Sequence, residues 1–459
     1  MAGIGFALRR LVVQDSLSAK LHGFAHAAVV SSGPWILTIL ALAVVELEGS
    51  QFLDRQSVQQ FGVIVVYNFA FSLVISGPVV MIVNRGLADQ IYQRRFEQAP
   101  GMLVGALMLL LIIEAVIGVP FYGFAASLTL GERLLALAGL WLIGAIWLAV
   151  VFMSALKSFT SITASFAAGM TIGSVIAVQL AKQFGTTGLL AGFTIGLAVI
   201  FFSLAGRILT EYPAPIIQPF AFLAQFRRYW DLALAGLLYN AGIWVDKWIM
   251  WFAPGRVVFA RAMPVHPAYD AGMFLAYLSS LPAMILFLVI VETRFFELYR
   301  RFYRAIEQHA TWAEIKANHR QLLQCLAESA TIIVTLQAVV CYVTILVAPG
   351  LTGLAKGGPE VVPIFRYGVI GALFHVLVIF AMALISYFDL RKLLLLVAVA
   401  FLVLNGALTA LSVVLGPAFY GYGYFIAALL SFLIAYSAII GSILRLPYMT
   451  FIGNNPGLR

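Results

Sequence analysis

Apolar runs of roughly 20 residues, each bounded by charge, glycine or proline, recur along the whole chain. They lie at 24–46, 61–84, 101–121, 134–155, 162–181, 188–206, 230–253, 271–291, 328–348, 363–387, 393–415 and 422–444. About 20 helical residues cross a bilayer core, so the pattern predicts an all-α polytopic membrane protein with twelve transmembrane helices. The first run carries Pro34 and follows a stretch with Arg9, Arg10 and Lys20 but no small-residue cleavage site. It is expected to stay as a helix and not to be removed as a signal peptide.

Two hydrophilic stretches interrupt the runs. Residues 207–229 contain Pro213, Pro215 and Pro219 and read as an irregular cytoplasmic connector between two halves of six. Residues 292–327 place Phe295, Phe296, Leu298, Phe302 and Tyr303 among Arg300, Arg301 and Arg304, followed by Trp312, Ile315, Leu322 and Leu323. This is a cytoplasmic amphipathic helix or helix pair, lying on the anionic inner leaflet or docking a partner. The expected plan is an N-terminal six-helix bundle over 1–206, a linker over 207–229 and a C-terminal six-helix bundle over 230–459. Transporters built from two related bundles have this layout, although the two halves share no visible residue-level repeat.

Composition supports the membrane reading and removes most chemistry. Of 459 residues, 63% are apolar and 10% charged, with a mean hydropathy of +1.00; a soluble domain is roughly 45–50% apolar and about 25% charged. A single anchor on a soluble enzyme is excluded. There is no GxxxxGK[ST] or GxGxxG motif among the 39 glycines, so neither ATP hydrolysis nor any cofactor is implied. Cys325 and Cys341 form no disulfide framework and read as packing thiols. The net charge of +9 does not point to nucleic acid, because basic residues collect in cytoplasmic loops. With both termini inside, 20 of the 28 cations fall on the cytoplasmic side and seven outside, while Lys247 lies within a span.

Ionisable residues at membrane depth are costly and therefore informative. The seventh run holds Asp231, Asn240, Asp246 and Lys247; neighbours on a helix are about 100° apart, so Asp246 and Lys247 are each expected to find a partner elsewhere. Trp244, Trp248 and Trp251 follow at spacings of four and three, making one stripe with Asn240. Flat rings beside hydrogen-bonding groups suit a sugar; an interfacial tryptophan belt is the alternative. Asn68, Ser72 and Ser76 stripe the second run before Gly77 and Pro78, and Asn405, Thr409 and Ser412 stripe the eleventh. With Ser31, Ser32, Gly33 and Pro34 these stripes would line a passage, or would be faces by which helices pack. Glu114 is the leading candidate for ion coupling, with Asp246 second; a structural partner is the competing reading. His375 stands without a second catalytic residue and reads as a satisfied interior histidine, and the His22 and His26 pair lacks further ligands.

The opening MAGIGFALRRL and the Ser31 to Trp35 segment SSGPW resemble the PelG family of Gram-negative inner-membrane transporters, and the resemblance extends to the length, the twelve-span layout and the basic segment after the eighth span. It implies the multidrug/oligosaccharidyl-lipid/polysaccharide exporter superfamily, whose members form two six-helix bundles in a V. It also implies translocation of Pel, an exopolysaccharide of the biofilm matrix rich in N-acetylgalactosamine. The implied partners are the lipid bilayer, other Pel inner-membrane subunits, and a cytoplasmic glycosyltransferase, in keeping with a chain that carries no catalytic constellation. The alternatives are a flippase for lipid-linked sugars, an ion-coupled antiporter on the same fold, or a non-transporting scaffold of a synthase complex.

Overall fold

A computed structural model describes residues 17–93, 96–350, 360–448 and 450–451, with side chains from Ser32 onward except those of Phe96 and Glu292. The opening motif, the side chains of Ser31, His22 and His26, and Arg94 and Arg95 lie outside the described residues. The chain is almost entirely helical, as hydrocarbon requires of a spanning backbone that must satisfy its own amides. In order come α1 (Leu17–Gly49), α2 (Arg55–Tyr92), α3 (Ala99–Pro120), α4 (Leu130–Ala155), α5 (Phe159–Glu211), α6 (Leu223–Arg228) and α7 (Trp230–Met250). A hairpin of β1 (Val257–Phe259) and β2 (Met263–Val265) follows. The remainder is α8 (Pro267–Leu278), α9 (Leu281–Ile290), α10 (Phe296–Glu307), α11 (Trp312–Leu346), α12 (Val361–Tyr387), α13 (Arg391–Leu415), α14 (Tyr422–Leu444) and α15 (Leu446–Tyr448).

Polar caps mark where several helices begin. Asp54 caps α2, accepting from the Ser57 amide at 3.1 Å and the Ser57 hydroxyl at 2.6 Å, and these bonds hold its carboxyl below the ordinary range. Thr129 and Glu132 cap α4 reciprocally, in a capping box, and Thr311 caps α11.

The chain forms two compact units: Ser32–Pro267, hereafter the N-unit, and Ala268–Arg459 together with Met1–Ser31, the C-unit. This division differs from the boundary expected at 207–229. The seventh run belongs with the first half because α7 lies directly on α2: a Cβ on Gly77 would stand 2.8 Å from the Gly236 carbonyl oxygen, and Asn240 donates to the Leu73 carbonyl at 2.8 Å. The connector is built into the same unit. The carbonyls of Ile217 and Pro219 rest against Gly101 and Gly105 of α3, while the Tyr229 hydroxyl donates to Asp89 of α2 at 3.0 Å.

Ten helical stretches among the described residues are long and apolar enough to cross a membrane. The runs at 162–181 and 188–206 share one of them, because α5 turns at Gly185 (φ 57°, ψ −135°) into two arms. Gly169 meets Gly196, Gly192 meets Ala177 and Gly188 meets Leu180, so the arms are antiparallel and touch backbone to backbone. The α7 helix is not among the ten, since Asn240, Asp246 and Lys247 dilute its apolar character.

In the C-unit, residues Pro267–Glu307 run on through α8, α9, a π-helical turn at Val291–Phe295 and α10. The expected amphipathic pair at 292–327 is thus α10 plus the opening turns of the 35-residue α11. Part of its apolar face packs into the unit, where Phe295 and Phe302 are buried and the Tyr299 hydroxyl donates to the Tyr387 carbonyl at 3.1 Å, while Trp312 is exposed. Arg300, Arg301 and Arg304 remain exposed.

The α5 hairpin makes a direct prediction. A Cβ at Gly192 would lie 2.1 Å from the Ala177 amide nitrogen, whereas one at Gly206 meets nothing within 4 Å. Gly192→Ala is expected to destabilise the purified protein by about 1–3 kcal/mol, and Gly206→Ala to be neutral or to stabilise it by less than about 1 kcal/mol. Thermal unfolding of the two variants in detergent checks the contrast.

Candidate transport site

On α7, Asp246 is fully buried and Lys247 is 8% exposed. They neutralise each other, contrary to the expectation from helical angles. The lysine stem is long enough to bend back along the helix, so that Nζ donates to the Ile243 carbonyl one turn earlier at 3.0 Å and to both Asp246 carboxylate oxygens at 3.0 Å. The ammonium also lies 5.9 Å from the Trp244 ring. Trp251 falls just beyond the helix and stacks on Tyr67 at 4.6 Å, and the Tyr67 hydroxyl donates to the Pro264 carbonyl at 2.7 Å. Trp244 reaches Trp251 at 6.3 Å, and Trp248 is half-buried on the same helix. The α7 candidates therefore stay together around one buried ion pair. Asn240 is held separately, by the α2 backbone.

The α2 stripe is buried and bonded. Asn68 accepts from the Tyr122 hydroxyl at 2.7 Å, and its amide lies over Gly139 of α4. Ser72 donates to the Phe69 carbonyl at 3.3 Å and accepts from the Trp147 indole at 3.3 Å, while Ser76 turns back on the Leu73 carbonyl. The contributions of Tyr122 and Trp147 were not legible in sequence, because nothing in their spacing relates them to residues more than fifty positions away.

Glu114 differs from all of these. It is fully buried in α3, and neither carboxylate oxygen has a hydrogen-bond partner among the described residues. It faces Gly144 of α4, where a Cβ would stand 2.0 Å from Oε1. The missing side chain is what makes room for the carboxyl. Burying an unpaired carboxylate costs several kcal/mol, so the protonation state of Glu114 bears directly on how α3 meets α4.

In the C-unit, His375 shares a 2.9 Å hydrogen bond with the Tyr424 hydroxyl and packs on Phe401. It is a satisfied interior histidine. Asn405, Thr409 and Ser412 are all buried, with Thr409 donating to Asn405 and Ser412 to the Leu408 carbonyl. The Cys341 thiol donates to the Val369 carbonyl.

Residues 1–451 match the family described as "PelG: Putative exopolysaccharide Exporter (EPS-E)". The chain belongs to the PelG family. No curated protein matches it significantly. Among solved structures it is similar to an outward-facing multidrug resistance MATE family transporter of the MOP superfamily, with a TM-score of 0.63 and 15% identity over 92% of this chain and 96% of that one. An inward-facing MATE transporter gives 0.58 at 12% identity, covering 91% and 99%, and a MOP superfamily transporter from Pyrococcus furiosus Vc1 gives 0.58 at 16%, covering 91% and 96%. At such identities these likenesses establish the fold. Family and fold together make this PelG-family chain a multi-pass transporter and not an enzyme.

The α7 pair predicts an asymmetry between single and double variants. Lys247→Met removes the ammonium that donates to both oxygens of the buried Asp246 carboxylate and is expected to destabilise by about 3–5 kcal/mol. Adding Asp246→Asn should recover most of that loss. Unfolding curves of the three proteins in detergent decide whether the two groups act as a pair.

Proposed function

We propose that the chain moves a Pel-like, N-acetylgalactosamine-rich polysaccharide across the bacterial inner membrane from cytoplasm to periplasm, using twelve crossings with both termini cytoplasmic. The observation that carries this reading is the PelG-family match along residues 1–451 on a MOP transporter fold. The concentration of cations in alternate loops supports the orientation. The absence of a nucleotide-binding motif fits a division of labour in which a cytoplasmic glycosyltransferase makes the polymer and other Pel inner-membrane subunits assemble with this chain.

Within that reading, the partly exposed Trp244 and Trp248 line the substrate pathway in the N-unit, and Asp246, Lys247, Asn240, Asn68 and Ser72 form the bonded polar wall behind them. Glu114 is the ion-coupling residue, with Asp246 second. The support for Glu114 is its closed, unpartnered setting: a proton gained or lost there changes the energy of the α3–α4 contact by several kcal/mol, enough to bias one helix arrangement over another.

The experiment is export in membrane vesicles carrying the partner subunits. Glu114→Gln is expected to lower the export rate at least about tenfold, a barrier raised by about 1.4 kcal/mol, with unchanged abundance in the membrane. Collapse of the proton gradient should lower the wild-type rate to the same level. Full export by Glu114→Gln assigns coupling elsewhere, to Asp246 or to polymer growth. Full secretion by cells whose Asp246 and Lys247 are jointly replaced by Asn and Met argues for a scaffold.

A further inference from the structure

Six aromatic rings form an unbroken series along one face of the C-unit. On α14, Tyr422, Phe425, Phe432 and Tyr436 share a helical stripe; on α12, Tyr367 and Phe374 stand seven residues apart. Tyr367 meets Tyr422 and Phe425, and Phe374 meets Phe425 and Phe432, so the two helices run in the same direction and their stripes interleave. The successive centroid separations are 3.8, 6.5, 6.2, 6.0 and 5.5 Å from Tyr422 to Tyr436. From Tyr422 to Tyr436 along α14 is about 21 Å, most of a hydrocarbon core of about 30 Å.

Two features set this series apart from ordinary packing. Each ring is at least partly exposed, and Tyr436 is 48% exposed. Each consecutive pair is also inclined by only 26–37°. Other ring pairs in the same unit meet edge on, as in Phe295 with Tyr387 at 78° and Phe287 with Phe380 at 85°. Beyond the Tyr422–Tyr367 contact the ring centres lie 5.5–6.5 Å apart at these inclinations, so neighbouring rings overlap only in part and leave part of each face uncovered. Hydroxyls stand at both ends: Tyr367 and Tyr422 hydrogen-bonded to each other, and Tyr436 at the far end.

We infer that this series is a sliding track for an extended polysaccharide, whose successive sugar rings lay their C–H faces on the aromatic planes and keep their hydroxyls outward. The assignment deepens the export reading and rests on it. Many equivalent, shallow contacts let a repeating polymer advance by one residue without leaving a deep well, which a single tight site would not allow. A face turned only to lipid would need bulk and apolarity, and leucine supplies both, as the neighbouring Leu430 and Leu433 do.

The test uses a strain lacking its own copy, in which restoration of polymer secretion by the wild-type chain examines export itself. Failure of that restoration sinks the export reading, independently of the track. Given restoration, Phe374→Leu/Phe425→Leu/Phe432→Leu is expected to lower secretion about tenfold or more at equal membrane abundance, while the matching triple Tyr variant stays within about twofold of wild type. Secretion by the Leu variant at the wild-type rate overturns the track in favour of a lipid face. Equal losses in the Leu and Tyr variants also overturn it, since packing and not the flat face is then what matters. If the triple Leu variant does not reach the membrane, Phe374→Leu and Phe432→Leu are read singly, each expected to lower secretion about threefold, and unchanged secretion in both overturns the proposal.

Discussion

Hydrocarbon offers no hydrogen bonds, so a polar group placed in it must be satisfied by the protein itself or carry a cost of several kcal/mol. This chain meets the requirement in a consistent way. Its hydroxyls turn back on their own helices, as Thr38 does to the Pro34 carbonyl, Ser174 to Met170, Thr344 to Val340 and Ser437 to Leu433. Lys247 does the same on a larger scale, reaching back to Ile243 and enclosing Asp246 on the way. Polar residues thereby stop being a drain on stability and become local ties. Glu114 departs from this habit with both of its carboxylate oxygens, where exceptions such as the Ser431 hydroxyl and the Trp141 indole are uncharged.

The second constraint is distance. Helices in lipid gain little from apolar contact alone and rely on close approach. Glycine makes that approach possible at the α5 hairpin, at the crossing of α2 and α7, and under the carboxyl of Glu114. The α4 helix uses two of its glycines to admit polar side chains, Asn68 over Gly139 and Glu114 over Gly144. Small residues here shape both the packing and the sites.

Much of the architecture was legible in the primary structure because hydropathy registers length and charge directly. The runs are there as helices, and the interruption between 181 and 188 is a turn at Gly185. What could not be read was association. The hydropathy of 230–253 says that it is a weak span, but not that Gly236 rides on Gly77, and therefore not that it joins the first half. Likewise the helical angle between Asp246 and Lys247 suggested separate partners, because an angle ignores the reach of a flexible stem. The polar stripes were visible as stripes; their partners Tyr122 and Trp147 come from other helices. The aromatic series of α12 and α14 is not visible along the chain for the same reason, since each helix supplies only part of it.

The connector between α5 and α7 has a wider meaning. By composition, with its prolines and charges, it is where one would divide the protein or insert a tag. Yet two of its carbonyls sit in a saddle formed by Gly101 and Gly105, and its end is fastened by Tyr229 to Asp89. A GxxxG pattern usually marks a helix that receives another helix; here it receives an irregular strand of backbone. The proline-rich stretch is therefore a structural belt of the N-unit and not slack between two modules.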